Sequence, residues 1–376
     1  MKILIDARMY GLEHSGIGRY LINLIRWLNK SDLSNQYIIL LRTKYFNEMK
    51  LGKNWIKVKS DIRHYTLDEQ IIIPNIISKE KPDIVHFPHF NIPVLTKEKF
   101  VITIHDMTMH HQGINATKLP LPLYLIKKIP YKFVFENAIK RSENIITPSK
   151  SVKKEIVKYY GVKPDKIVVC YEGIDDYSGT NNNTFVEKKI LEKYQLKNNN
   201  YFFYVGNAYP HKNLEVVVQA ISIINKNNHT KHLFAIAGSS NFFMQRLGKK
   251  IKKYGASKYV KLLGFVPEQD LGVLYKNSIS FIYPSLSEGF GLQGLEAIAN
   301  GTVLLASDID IFREVYGSHA FYFNPRDVVS LSSAMVSVLS LNDADKCRYL
   351  LTAQKFIKKY SWEKMAQDTL RVYEKL

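Results

Sequence analysis

The chain has 376 residues, 46% apolar and 23% charged, with 53 Lys and Arg against 34 Asp and Glu for a net charge of +19. This composition excludes a disordered chain, the length favours two domains, and the charge points to anionic partners. Two distant cysteines, Cys170 and Cys347, exclude a disulfide framework and a cysteine-rich metal centre, which suits a reducing cytosol.

In chain order, short apolar runs predict strands at 2–6, 37–41, 83–87, 101–105, 144–148 and 166–170. The polar, Asn-rich stretch 175–184 follows and reads as a linker. Further strands are predicted at 201–206, 232–238, 259–265, 279–285, 302–307 and 320–323. Helical patterns separate them, so both halves read as α/β units with helix-covered parallel sheets. Ligands of such sheets bind beyond the carboxyl ends of the strands. The opening "MKILID" is too short an apolar run for a signal peptide, and no run reaches the ~18 residues needed to span a bilayer.

The stretch "PSLSEGFGLQGLEAIANG" contains Gly-x-Gly-x-x-Gly at Gly289, Gly291 and Gly294. That is the fingerprint of a dinucleotide site. A strand, a glycine turn and a helix start carry it, so its amides face an anion. Asp308, 14 residues after Gly294, stands near where a ribose-binding acid belongs. An NAD(P)-dependent dehydrogenase is therefore one reading. Glu288 and Glu296 weigh against it, because a pyrophosphate needs positive partners. Carboxylates do suit paired hydroxyls of sugar or ribose. The two are expected in the turn and in the first helical turn, facing the ligand.

Other motifs belong with this one. "GIGRY" places Gly16 and Gly18 after the first strand, where backbone amides can meet phosphate. "YPHKNL" places His211 and Lys212 at a helix entrance. "VITIHD" ends a strand on His105. His86, His89, His110 and His111 raise a metal site, but "HFPH" lacks the i, i+4 helical spacing and has no acidic cluster beside it. A basic nucleic-acid-binding protein would explain the charge, yet no RNP or zinc-finger pattern occurs. Residues 118–141 hold six basic residues and one acidic among Leu, Ile, Tyr and Phe. That is the composition of a segment drawn to anionic lipid.

The pair Glu288-x7-Glu296 resembles the signature of retaining GT-B nucleotide-sugar glycosyltransferases, family four (group 1), mannosyltransferase-like members included. "GIGRY", "DIVHFPHFNIP", "VITIHD", "IITPSKSVKKEI", "YVGNAYPHKNL", "GFVPEQDL" and the final "SWEKMAQDTLRVYEKL" resemble family segments in family order. The resemblance implies two Rossmann-like domains facing across a cleft. Residues 1–175 would bind the acceptor, residues 176–360 the nucleotide-sugar donor, and helix 361–376 would rejoin the first domain. It implies a catalytic set of His105, Lys212 and Glu288. Lys212 would neutralise the leaving diphosphate, and His105 and Glu288 would contact the donor sugar. Gly16, Gly18, His211, Phe290, Gly291, Leu292 and Glu296 would complete the donor site, Glu296 on the ribose. No metal or other cofactor is implied. "PHKN" and "GIGRY" lean towards GDP-mannose as donor. The implied acceptor is a lipid-linked surface glycan such as lipopolysaccharide O-antigen. The implied location is cytoplasmic, on the inner face of the membrane. Gln293 departs from the proline usual in the family.

Overall fold

A strand covered by helices on both faces has no solvent side, so it reads as an unbroken apolar run. The computed structural model, which describes residues 1–111, 117, 120–174, 184–227 and 229–376, contains many such strands. Ile84–Phe87, Phe100–Thr103, Ile145–Thr147, Ser280–Tyr283 and Leu304–Ser307 are buried at every residue. The chain forms two compact units, one from Met1–Met109, Thr117–Gly173 and Tyr360–Leu376, the other built on Ile174–Lys359. Most of 175–184 lies outside the described residues; its last member, Thr184, already begins a helix, Thr184–Lys193.

The first unit holds β1 (Lys2–Asp6), β2 (Gln36–Leu41), β3 (Trp55–Lys59), β4 (Ile84–Phe87), β5 (Phe100–Thr103), β6 (Ile145–Thr147) and β7 (Ile167–Val169). They form a parallel seven-stranded sheet in the order β3-β2-β1-β4-β5-β6-β7. Its core includes Leu4, Ile38, Val85, Ile102 and Ile145, with Phe135 and Ile139 from a covering helix. The second unit holds β8 (Tyr201–Val205), β9 (Leu233–Ala237), β10 (Val260–Gly264), β11 (Ser280–Tyr283), β12 (Leu304–Ser307) and β13 (Phe321–Phe323). Their order is β10-β9-β8-β11-β12-β13, again parallel. Both are doubly wound α/β sheets.

Strand β3 is absent from the apolar-run reading. It is the edge of its sheet, pairs only with β2 and alternates Lys57 and Lys59 with Ile56 and Val58. Only Trp55 is buried, stacked on Tyr37 with ring centroids 4.2 Å apart. A half-solvated edge strand has no continuous apolar run to betray it.

The chain ends in the helix Trp362–Glu374, capped by Ser361, whose side chain accepts from the amide of Lys364. It packs on the helix Ser15–Ser31, and its Trp362, Met365, Thr369, Val372 and Tyr373 are buried. Gly173 meets the start of this helix so closely that a Cβ there would overlap the backbone of Trp362. The C-terminal helix is thus part of the first unit's core.

Candidate functional site

In the second sheet the chain winds outward from β8 to β9 and β10, then crosses over to β11 and winds the other way. The crevice between the carboxyl ends of β8 and β11 is the topological switch point, where doubly wound sheets bind ligands. Two loops meet there. The loop after β8 ends in the 3-10 turn Pro210–Lys212, and the loop after β11 carries Glu288. The amide of Leu286 donates to the carbonyl of His211 at 2.8 Å. Asn213, in the left-handed region at φ 53, donates through its side chain to the carbonyls of Pro284 (3.1 Å) and Pro325 (2.7 Å). These bonds bring Lys212 Nζ to 2.5 Å from Glu288 Oε1. The ammonium also lies 5.9 Å from the ring centroid of the buried Tyr283.

The glycine stretch opens the helix Leu292–Ala299, with Gly291 as N-cap at φ 97. Only glycine adopts that conformation without strain. Its carbonyl accepts from the hydroxyl of Tyr316 at 2.6 Å. A Cβ on Gly291 or on Gly294 would overlap that same hydroxyl. The third glycine of the apparent dinucleotide fingerprint therefore answers to Tyr316, not to a pyrophosphate. Asp308 is held by Arg313 in two bonds of 2.6 and 2.8 Å. The dinucleotide reading loses the third glycine of its fingerprint.

The structure corrects the position of Glu296. The first turn of this helix carries no acid, because the helix starts at Leu292 and Glu296 falls in its second turn. It is buried, and one oxygen accepts from the hydroxyl of Tyr275 at 3.1 Å. Phe290 is also buried, while Leu292 is half-buried at the helix start.

The first sheet has its own switch point, between β1 and β4. Helix Ser15–Ser31 follows β1 and carries Gly16 and Gly18. Gly16 is exposed with open space around its α-carbon, whereas a Cβ on Gly18 would overlap the carbonyl of Gly11. Gly18 is thus a packing glycine. His105 follows β5. Its Nδ1 is 3.2 Å from Glu172 Oε1 and its Nε2 is 3.1 Å from the carbonyl oxygen of Pro88. His86 is fully buried, with Nδ1 2.6 Å from the Tyr373 hydroxyl and Nε2 2.8 Å from Thr103 Oγ1. Burial pulls its pKa down to about 3, so it is neutral at ordinary pH.

A buried ionic cluster at the same switch point escaped the motif reading. Arg8, just past β1, donates to Asp6 at 2.8 and 2.6 Å and to Glu69 at 2.8 Å. Glu69 also accepts from Asn91 (2.9 Å) and from the amide of Tyr65 (2.7 Å), itself at φ 64. Burial pushes the Asp6 carboxyl up, but the Arg8 guanidinium prevails and holds it below the ordinary range. The available signal was the polar "DAR" breaking off an apolar strand; its partner Glu69 is 61 residues away from Arg8.

Two doubly wound α/β units are the architecture of a GT-B glycosyltransferase. Residues 14–177 match the model of Glycosyltransferase Family 4 and residues 186–355 that of Glycosyl transferases group 1. The chain is 30% identical to the O-antigen chain mannosyltransferase RfbU of Salmonella typhimurium over 281 residues, 74% of this chain and 70% of the relative. It is 28% identical to O-antigen chain mannosyltransferase B of Escherichia coli over the full length of both. Among solved structures, the Anabaena protein Alr3699/HepE in complex with UDP and glucose superposes with a TM-score of 0.75 at 15% identity, covering both chains completely. The chain belongs to glycosyltransferase family four, the group 1 glycosyl transferases.

Proposed function

We propose that this glycosyltransferase acts with retention of configuration, moving mannose from GDP-mannose to a hydroxyl of a lipid-linked surface glycan such as lipopolysaccharide O-antigen. The observation that carries the donor site is the Lys212–Glu288 pair at the switch point of the second sheet. Lys212 is the point charge for the diphosphate, and the amides at Phe290–Leu292, at a helix start, add oriented donors. Such donors stabilise charge where it develops as the glycosidic bond breaks. Glu288 accepts from hydroxyls of the sugar, and Glu296 from the ribose. The acceptor hydroxyl adds to the anomeric carbon from the face the diphosphate leaves, and its proton passes to a phosphate oxygen. This scheme uses cationic side chains and a helix end, and calls on no metal. The mannosyl and O-antigen parts rest on the two mannosyltransferase relatives.

The acceptor and the membrane are assigned to the first unit. Its helix Leu121–Arg141 is anchored by Phe135, Ala138 and Ile139, yet Leu121, Leu125, Ile126, Ile129 and Phe133 are exposed, with Lys128 and Lys132 among them. An apolar stripe flanked by lysines suits the surface of an anionic bilayer. Among the described residues no helix is long and apolar enough to cross a membrane. We therefore assign a peripheral position on the cytoplasmic face of the inner membrane.

A panel of GDP-, UDP-, dTDP-, CDP- and ADP-sugars tests the donor assignment by thermal shift and slow hydrolysis. GDP-mannose is expected to give the largest shift, and the anomer released, read by NMR before mutarotation, is expected to be the α form. If no nucleotide sugar stabilises the fold, the donor assignment fails.

A further inference from the structure

Lys212 and Glu288 form a closed charge pair in which neither partner is well solvated, their side chains being 13% and 12% exposed. The pair is tied by the backbone as well, since Leu286 donates to the carbonyl of His211 at 2.8 Å. The backbone carrying both side chains is thereby held in place. A diphosphate that takes the ammonium leaves Glu288 beside new negative charge without its counter-ion. Such a group needs hydrogen-bond donors or it opposes binding. The buried tyrosine below cannot supply one, because the Tyr283 hydroxyl already donates to Gln293 Oε1 at 2.6 Å. Hydroxyls of a sugar attached to the diphosphate can.

We propose that Glu288 acts as a displaceable counter-ion that makes Lys212 select a sugar-bearing nucleoside diphosphate over the bare nucleoside diphosphate. With the intact donor, phosphate replaces the carboxylate at Lys212 while sugar hydroxyls replace the ammonium at Glu288. Once the sugar has left, Glu288 loses those hydroxyl donors and reclaims Lys212, which expels the product. The proposal rests on the reading of this pair as the donor site. It adds a role for Glu288 beyond contact with the sugar, namely weakening the site for product.

Isothermal titration of the full chain with the five nucleoside diphosphates and their sugar conjugates tests it, on the wild type, Glu288→Gln, Lys212→Met and the double variant. Glu288→Gln is expected to bind GDP on the order of tenfold more tightly, equivalent to about 1.4 kcal/mol. Its affinity for GDP-mannose should not improve, so the preference for the conjugate shrinks. In the Lys212→Met background the gain should vanish, whereas simple removal of a negative charge would persist there. Glu288→Ala, with melting curves for every variant, guards against a folding artefact. GDP affinity unchanged or weakened in a folded Glu288→Gln overturns the proposal, as does a gain that survives Lys212→Met. If neither free nor conjugated nucleotides bind the wild type, the donor-site reading itself falls. If both bind and Glu288→Gln shifts both equally, that reading stands and the selectivity role falls.

Discussion

The hydroxyl of Tyr373, in the last helix, lies 2.6 Å from Nδ1 of His86 on β4, 287 residues earlier in the chain. Both side chains are fully buried. The other ring nitrogen of His86 lies 2.8 Å from Thr103 Oγ1 on β5, so one imidazole links two core strands to the chain terminus. Removing one partner of a buried hydrogen bond leaves the other unsatisfied at ~1–3 kcal/mol. Tyr373→Phe should therefore lower stability by about that amount, measured by urea unfolding. The donor binding proposed for the second unit should be unchanged in titrations on the folded variant.

The same histidine predicts a pH dependence. Its folded pKa, about 3, lies below the ~6.5 expected of an unfolded chain. The unfolded state thus binds the extra proton between these values, and the contribution is fully present above about pH 6.5. It declines as pH falls towards the folded value, by about 1.4 kcal/mol per pH unit. Chemical denaturation between pH 7 and pH 4 should show this slope together with a like one from His89, whose pKa burial also lowers to about 3. His86→Asn should flatten it by about one proton; an unchanged slope would show that His86 is not the group responsible.

Gly294→Ala tests the packing account of the third glycine. An added methyl would overlap the Tyr316 hydroxyl that holds Gly291. Overpacking of this kind costs roughly 1–3 kcal/mol. In combination with Tyr316→Ala the penalty should shrink, and the coupling is read from a double-mutant cycle. Strictly additive effects would show that Gly294 answers to something other than Tyr316.

Lys212→Ala removes the side chain bonded to Glu288 and the charge proposed to meet the diphosphate. Loss of one preorganised charge-stabilising donor costs on the order of 10²–10³ in rate. Sugar transfer or donor hydrolysis should fall by that factor. Lys212→Arg should recover part of it, because the charge is kept but its geometry changes. Wild-type rates in Lys212→Ala would remove the assigned role.

Ile129→Asp and Phe133→Asp address the membrane assignment. Both positions are exposed, at 72% and 58%, so stability should stay within about 0.5 kcal/mol. Co-sedimentation with phosphatidylglycerol vesicles should drop sharply, while binding to neutral phosphatidylcholine vesicles is weak throughout. Equal recovery of wild type and both variants with the anionic vesicles would refute lipid contact through this helix.

Much of this molecule is written locally. Strands buried on both faces are mostly apolar, with the few polar members hydrogen-bonded or small, so β1, β4, β8, β11 and β12 stand out in one dimension. The alternation of such runs with helical periodicity predicts two α/β units with parallel sheets, and the spacing of Glu288 and Glu296 across a glycine turn resembles the family signature. Tertiary structure decided what depends on distant partners. Lys212 meets Glu288 across 76 residues because crossover to β11 brings two loops to one crevice. Gly294 is required by a tyrosine of a later helix, and Glu296 is buried under Tyr275 from the helix before β11. The edge strand β3 exists because β2 offers it an open ladder, not because its own residues insist on it. Periodicity records which face a residue buries; only the folded chain determines which residue it is buried against.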